Sequence, residues 1–147
     1  MIRSKIREIV FQQLYQGEFY PNTEKEKQSE LLLSDSGLLQ ETEVIKADSL
    51  TEEEAADLKQ RWEMIYSRLD ELDADINKVA EGWKTGRMAK VDLSLIRLAY
   101  YEMKYDDEVP LKVAINEAVE FAKKYGGEDS PAFVNAILGK LAKELEK

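Results

Sequence analysis

Residues 91–103, VDLSLIRLAYYEM, decide the fold class. Leu95, Ile96, Leu98, Ala99 and Met103 recur at the three- and four-residue spacing of one helical face. Asp92 stands where a helix N-cap carboxylate is expected. Downstream, Val109-Pro110 breaks the chain, and Asn116 is positioned to cap a helix running through Glu117 to Tyr125. Gly126 and Gly127 suit the C-terminal end of that helix, where a left-handed residue is often required. Ser130-Pro131 then reads as a helix start with proline at its tolerated first position. The apolar series Phe133, Val134, Ile137, Leu138, Leu141 and Leu145 continues to the end of the chain at helical spacing.

Working back towards the N-terminus, the same period persists. Thr51-Glu52-Glu53-Glu54 is a capping box, in which the Thr hydroxyl accepts from a free first-turn amide while Glu54 reaches back. The helix that it opens puts Ala55, Leu58, Trp62, Ile65 and Leu69 on one stripe. Asp73 or Asp75 is placed to cap the next helix, which carries Ile76, Val79 and Trp83 and ends at Gly86. A first helix is expected over about Ser4 to Glu18, with Ile6, Ile9, Val10, Phe11, Leu14 and Tyr15 inward and Arg3, Lys5, Arg7, Gln12 and Gln16 on its polar side. Pro21-Asn22-Thr23 stops and restarts the chain, a charged helix follows towards Leu33, and residues 34–49 read as an exposed connection. Nothing alternates with the period of a strand. The fold class is all-α: one domain over residues 1–147, a single compact bundle of about seven helices.

Composition narrows the chemistry. The chain has no cysteine, which removes disulfides and thiolate metal sites, and no histidine, which removes the commonest general base at neutral pH. It carries no Gly-rich phosphate loop, Ser-based elbow or zinc signature, so no enzyme, cofactor or metal site is expected. The acidic clusters Glu52–Glu54 and Asp106–Glu108 fit a helix N-terminus and a solvated turn better than a metal site. No apolar run is long enough to span a membrane, and Arg7 and Glu8 interrupt any signal-peptide core, so a cytoplasmic protein is the default.

A net charge of −9 argues at first against nucleic acid. Its distribution does not. Residues 1–20 hold three basic against two acidic groups, residues 21–86 eight against seventeen, and residues 87–147 ten against eleven. The excess acidity therefore belongs to the middle of the chain. At the N-terminus, Arg3, Lys5 and Arg7 fan round about a turn and a half of helix, with Tyr15 two turns beyond Arg7. Such a group can neutralise phosphates and offer an aromatic platform to an unpaired base. It can equally be a solubilising helix end with a core tyrosine. Arg97 with Glu102 or Glu117 is expected to form a partly buried pair locking two helices together.

The segments VDLSLIRLAYYEM (91–103) and VPLKVAINEAVEFAKKYGGEDSPAFVNAIL (109–138) resemble, in order and spacing, the bacterial transcription antitermination factors of the NusB family. The positions that carry the likeness include Asp92, Arg97, Tyr101, Glu102, Lys112, Asn116, Glu117, Asp129, Ser130, Phe133 and Asn135. Trp83-Lys84 and Arg87, and the run Arg7, Glu8, Gln12, Leu14 and Tyr15, also look like the family.

The resemblance implies a monomer or homodimer of seven helices that binds boxA-type single-stranded RNA together with the ribosomal protein NusE. It implies that the pair joins the RNA polymerase antitermination complex. Carried over by position, Arg3, Lys5, Arg7, Gln12 and Tyr15 correspond to an RNA-contacting first helix, and Asp129 and Phe133 to the second part of the RNA surface. Glu81 and Asp92 resemble the side facing NusE, while Arg97, Glu102, Asn116 and Glu117 hold the bundle together. The family often has more basic residues ahead of Arg7, and a lysine where this chain has Ala132, so RNA binding is expected to be weak alone and tight beside NusE. Two other readings compete: an all-helical protein-interaction module with little RNA binding, and a detached regulatory domain of an rRNA methyltransferase. The second needs a longer protein, because 147 residues leave no room for a cofactor-binding domain.

Overall fold

The computed structural model describes residues 4–17 and 51–146. Arg3, the charged helix expected towards Leu33 and the connection at residues 34–49 lie outside the described residues. Within them the chain is all-helical, with α1 (Ser4–Gly17), α2 (Glu52–Ser67), α3 (Leu69–Val79), α4 (Lys90–Tyr105), α5 (Leu111–Tyr125) and α6 (Ser130–Leu145). A 3-10 turn at Thr85–Arg87 lies between α3 and α4. The chain divides into two compact units, Ile2–Tyr66 and Ser67–Lys147.

In the first unit, the capping box forms as its residues dictate. The Glu54 amide donates to Thr51 Oγ1 at 3.1 Å and the Thr51 amide to Glu54 Oε1 at 3.1 Å. Leu58, Trp62 and Ile65 make the buried stripe of α2, and the helix ends at Ser67, leaving Leu69 to open α3. The stripe on α1 is broader than its polarity predicts: besides Ile6, Ile9, Val10, Phe11 and Leu14, the polar Arg7, Glu8, Gln12 and Gln13 are buried. Gly17 ends α1 against Tyr66, whose hydroxyl occupies the space that a Cβ would need.

In the second unit, α4 and α6 each pack against the other three helices. Every residue of α4 from Asp92 to Met103 is buried, so this helix is enclosed on all sides rather than on one stripe. Its neighbours meet it with ordinary amphipathic faces. On α5 the buried residues are Ala114, Ala118, Phe121 and Ala122, and three small side chains on that face permit close approach. On α6 the buried apolar residues are Val134, Ile137, Leu138 and Leu141, each contributing roughly 1.5–3 kcal/mol by leaving water.

Burial calls for partners to polar groups, and three side chains of α4 find theirs on α3. The Arg97 guanidinium donates to Asp73 through Nε at 2.9 Å and Nη2 at 2.6 Å, a bidentate charge-assisted pair. Tyr100 Oη donates to Asp75 at 2.7 Å, and Lys104 Nζ reaches Asp75 at 2.8 Å and Glu71 at 3.0 Å. Hence Asp73 and Asp75 do not cap a helix. The helix starts at Leu69, and both carboxylates lie inside it as the α3 side of a clamp. Arg97 does tie two helices together, through Asp73 rather than through Glu102 or Glu117. Glu102 is buried and Glu117 partly exposed, and each has interaction partners of its own.

Four helix boundaries differ from expectation for local reasons. Asp92 sits in the first turn of α4, behind Ala89 at the N-cap, where its charge faces the positive end of the helix. Pro110 takes the N-cap of α5, so that helix begins five residues ahead of Asn116, which is exposed in mid-helix and caps nothing. Gly126 has φ −96°, so it is not the left-handed residue expected there. Its need is for space, since a Cβ would lie 2.5 Å from Ser130 Cβ and Oγ. Among the described residues the left-handed glycine is Gly82, at φ 78°, in the turn that follows α3 and four residues before Gly86.

Candidate nucleic-acid interface

On α1 the expected RNA-contacting residues separate by burial. Lys5 and Tyr15 are partly exposed, whereas Arg7 and Gln12 are buried. Helical period explains the split. Arg7 and Gln12 fall among Ile6, Val10, Phe11 and Leu14 on a helix with little solvent face left, and neither is without an interaction partner. Tyr15 stands one turn beyond Phe11, their ring centroids 6.3 Å apart. Polarity places Arg7 and Gln12 on the solvent side of this helix, and their enclosure corrects that expectation.

The second expected segment is the start of α6. Asp129 occupies the N-cap and is exposed, without a side-chain capping bond. Its carbonyl accepts from the Phe133 amide at 3.1 Å, which puts Phe133 one turn into the helix. Helical period assigns Phe133 to the core with Val134, Ile137 and Leu138, yet it is only half-buried. Its ring instead meets Trp83 edge-on, with centroids 6.5 Å apart and planes at 74°.

Trp83 was assigned to the apolar stripe of a helix ending at Gly86. It is 56% exposed, beyond the end of α3. The backbone sends it there: Ala80 is the C-cap, and the Trp83 amide donates to the Ala80 carbonyl at 3.1 Å. That closes a turn whose third residue, Gly82, has the positive φ that favours glycine. Asn77 then fixes the segment, its carbonyl accepting from Lys84 Nζ at 2.7 Å and its side-chain oxygen from the Thr85 amide at 2.8 Å. Lys140 of α6 donates to the Val79 carbonyl at 3.4 Å, so two ammonium groups meet the negative end of α3. The Arg87 guanidinium lies over the Trp83 indole, 5.8 Å from its centroid. The signal in the sequence is an indole followed by Lys84, Arg87 and Lys90, basic residues three positions apart, and a reading that equates apolar size with burial hides it.

Of the residues expected to face a protein partner, Glu81 is exposed in the turn after α3. Asp92 is not on a surface. It is 7% exposed, and its Oδ1 is buried without a hydrogen bond. Among the described residues no group of three or more acidic side chains is disposed to hold a metal ion, and no helix is long and apolar enough to cross a membrane.

These features define a small all-helical protein with partly exposed aromatic and basic groups at its helix ends and turns. A family model described as the NusB family matches residues 4–143. The Transcription antitermination protein NusB of Agathobacter rectalis is 47% identical over 142 residues, covering 97% of this chain and 100% of that protein. Its namesake in Lachnoclostridium phytofermentans is 45% identical over 141 residues, covering 96% and 98%. A solved structure of T. maritima NusB is similar with a TM-score of 0.79 at 32% identity, covering 98% of this chain and 92% of that one. The chain belongs to the NusB family.

Proposed function

We propose that this protein is a transcription antitermination factor that binds boxA-type single-stranded RNA together with the ribosomal protein NusE and helps RNA polymerase resist termination, notably in rRNA operons. It works by binding, without a catalytic site or cofactor. Membership of the NusB family across residues 4–143 carries this reading, since its relatives bear that name at 45–47% identity. RNA contacts are assigned to Arg3, Lys5 and Tyr15 at the first helix and to Asp129 and Phe133 at the start of α6. Arg7 and Gln12, which the resemblance also implies for RNA contact, are buried. Phe133 supports the assignment, because an aromatic on an apolar stripe that stays half-open is available to stack on a base. Glu81 is the accessible acidic residue assigned to NusE, a basic protein that it complements in charge.

Titration of labelled boxA-type RNA at two salt concentrations, with and without NusE, tests the proposal. RNA binding is expected to be weak alone and to tighten at least tenfold with NusE. Phe133→Ala is expected to weaken it about fivefold or more, the low end of a lost base stack. An affinity indifferent to NusE refutes the adaptor reading. If RNA does not bind under either condition, the chain is a protein-interaction module, the reading that its net charge of −9 and Ala132 favour.

A further inference from the structure

We infer that Trp83, with Arg87 over its ring and Lys84 and Lys90 beside it in sequence, forms a stacking platform for one base of a single-stranded RNA and a clamp for the adjoining phosphates. The inference deepens the RNA-binding reading and rests on it. Four observations lead to it.

First, a tryptophan that is 56% exposed is anomalous in a chain whose other tryptophan, Trp62, is 1% exposed. Leaving an indole in water forgoes much of the burial free energy that a side chain of this size supplies. Second, the ring is held. Phe133 meets it edge-on, Gly82 sets the turn that delivers it, and Asn77 ties down both residues that follow it. A flat aromatic face held in place stacks on a base without first losing conformational freedom.

Third, the local charge opposes that of the molecule. Residues 83–90 contain Lys84, Arg87 and Lys90 and no acidic residue, within a chain of net charge −9. All three basic residues are exposed. A positive island on an acidic protein attracts phosphates. Fourth, the types match the ligand. Single strands are bound without base-edge readout by aromatic faces that stack on bases, with arginine adding cation–π attraction and lysines following the backbone. Phe133 adjoins Trp83 directly, so the platform extends the Phe133 contact already assigned by one further ring.

The test uses the full chain and a boxA-type RNA oligomer, with and without NusE. Bound RNA is followed by anisotropy of a label on the RNA, and the indole by its own emission. Trp62 is enclosed and supplies a constant background, so RNA that stacks on Trp83 quenches the remainder. Trp83→Ala is expected to weaken RNA binding about 5- to 30-fold, whereas Trp83→Phe stays within about threefold, because it keeps an aromatic face. Arg87→Gln is expected to lower the salt slope by about one unit, a readout that a packing role does not move. Circular dichroism shows whether each variant is folded, and exposure at position 83 makes unfolding by Trp83→Ala unexpected.

RNA that binds while the emission stays constant and Trp83→Ala binds like the parent overturns the platform and leaves the RNA reading intact. Loss of NusE binding in Trp83→Ala, with affinity for RNA alone unchanged, makes the patch a protein interface and also overturns it. If the parent chain binds no RNA with NusE present, the reading and the platform fail together.

Discussion

Replacing Asp73 by alanine removes one half of the clamp between α3 and α4 and takes from the Arg97 guanidinium its bidentate partner. The Arg97 side chain is 8% exposed and that of Asp73 22%, with bonds of 2.9 and 2.6 Å between them. Deleting one partner of a buried pair costs about 3–5 kcal/mol, chiefly because the remaining charge stays desolvated. Asp73 is partly wet, so the low end applies, about 3 kcal/mol for Asp73→Ala. Arg97→Met keeps the length of the side chain and leaves the charge on the wetter side, where water can reach it. It should cost less, about 1–2 kcal/mol. In the double variant neither charge of the pair remains, and the combined loss should fall below the sum of the singles by at least about 1 kcal/mol. For a chain of this length each kcal/mol moves the melting temperature by roughly 2–4 °C, so Asp73→Ala should lower it by about 6–12 °C. Urea unfolding followed by circular dichroism measures all three. Additive losses, or Arg97→Met costing more than Asp73→Ala, would refute the reasoning, since either would mean that the lost bond rather than the desolvated charge sets the cost.

Three further outcomes follow from the same geometry. Hydrogen bonding to Asp75 raises the Lys104 ammonium above its usual 10.5, and bonds from Tyr105 and then Lys104 lower Glu71 below 4.5. Burial pushes Asp75 upward, but its bonds from Lys104 and Tyr100 outweigh it and hold it below 3.8. The lysine's contribution is thus complete below pH 10.5 and lost as pH rises through its folded value. Those of the carboxylates are complete above their ordinary values and lost as pH falls through the lowered ones. Thermal melts across pH should therefore show a plateau between these limits, and Lys104→Met should shrink its alkaline fall; an unchanged fall would remove Lys104 from the clamp. Gly126→Ala should destabilise by about 1–3 kcal/mol through overpacking against Ser130, whereas Gly82→Ala, with nothing within 4 Å but φ 78°, should cost about 1–2 kcal/mol for conformation alone. Adding Ser130→Gly should therefore relieve Gly126→Ala and leave Gly82→Ala as it was, and relief of both would contradict the assignment. Ala132→Lys, at an exposed position, should tighten boxA-type RNA binding and raise the salt slope by about one unit, and an unchanged slope would remove position 132 from the phosphate path.

What the sequence disclosed and what it hid divide along the range of the interaction. The Thr51–Glu54 box was legible because both partners lie within one turn, and the α6 stripe because Val134, Ile137, Leu138 and Leu141 needed only a period. Asp73 and Asp75 misled because a cap and an interhelical clamp both call for a carboxylate. The group that decides between them, Arg97, is 24 residues away from Asp73. Asn116 misled because a good capping residue was taken for a helix start, although Pro110 had already set one. Gly126 was read through conformation when space was its reason, and space is set by Ser130 four residues on. Arg7, Gln12 and Trp83 show one error in two directions: polarity was equated with exposure, and apolar size with burial.

The inversion has a physical source. Once α4 is enclosed from Asp92 to Met103 and α1 through most of its length, each has little face left to present to a ligand. Groups meant to meet one must then sit where helices end. Trp83, Arg87 and Phe133 all do, the first two between α3 and α4 and the third in the opening turn of α6. The same logic reconciles a net charge of −9 with a polyanionic ligand. Phosphates feel charges within about a Debye length, roughly 8 Å in physiological salt, so three exposed basic residues in the short run 83–90 weigh more than distant carboxylates. The chain-wide total governs solubility and the approach of partners from afar; the island governs what docks.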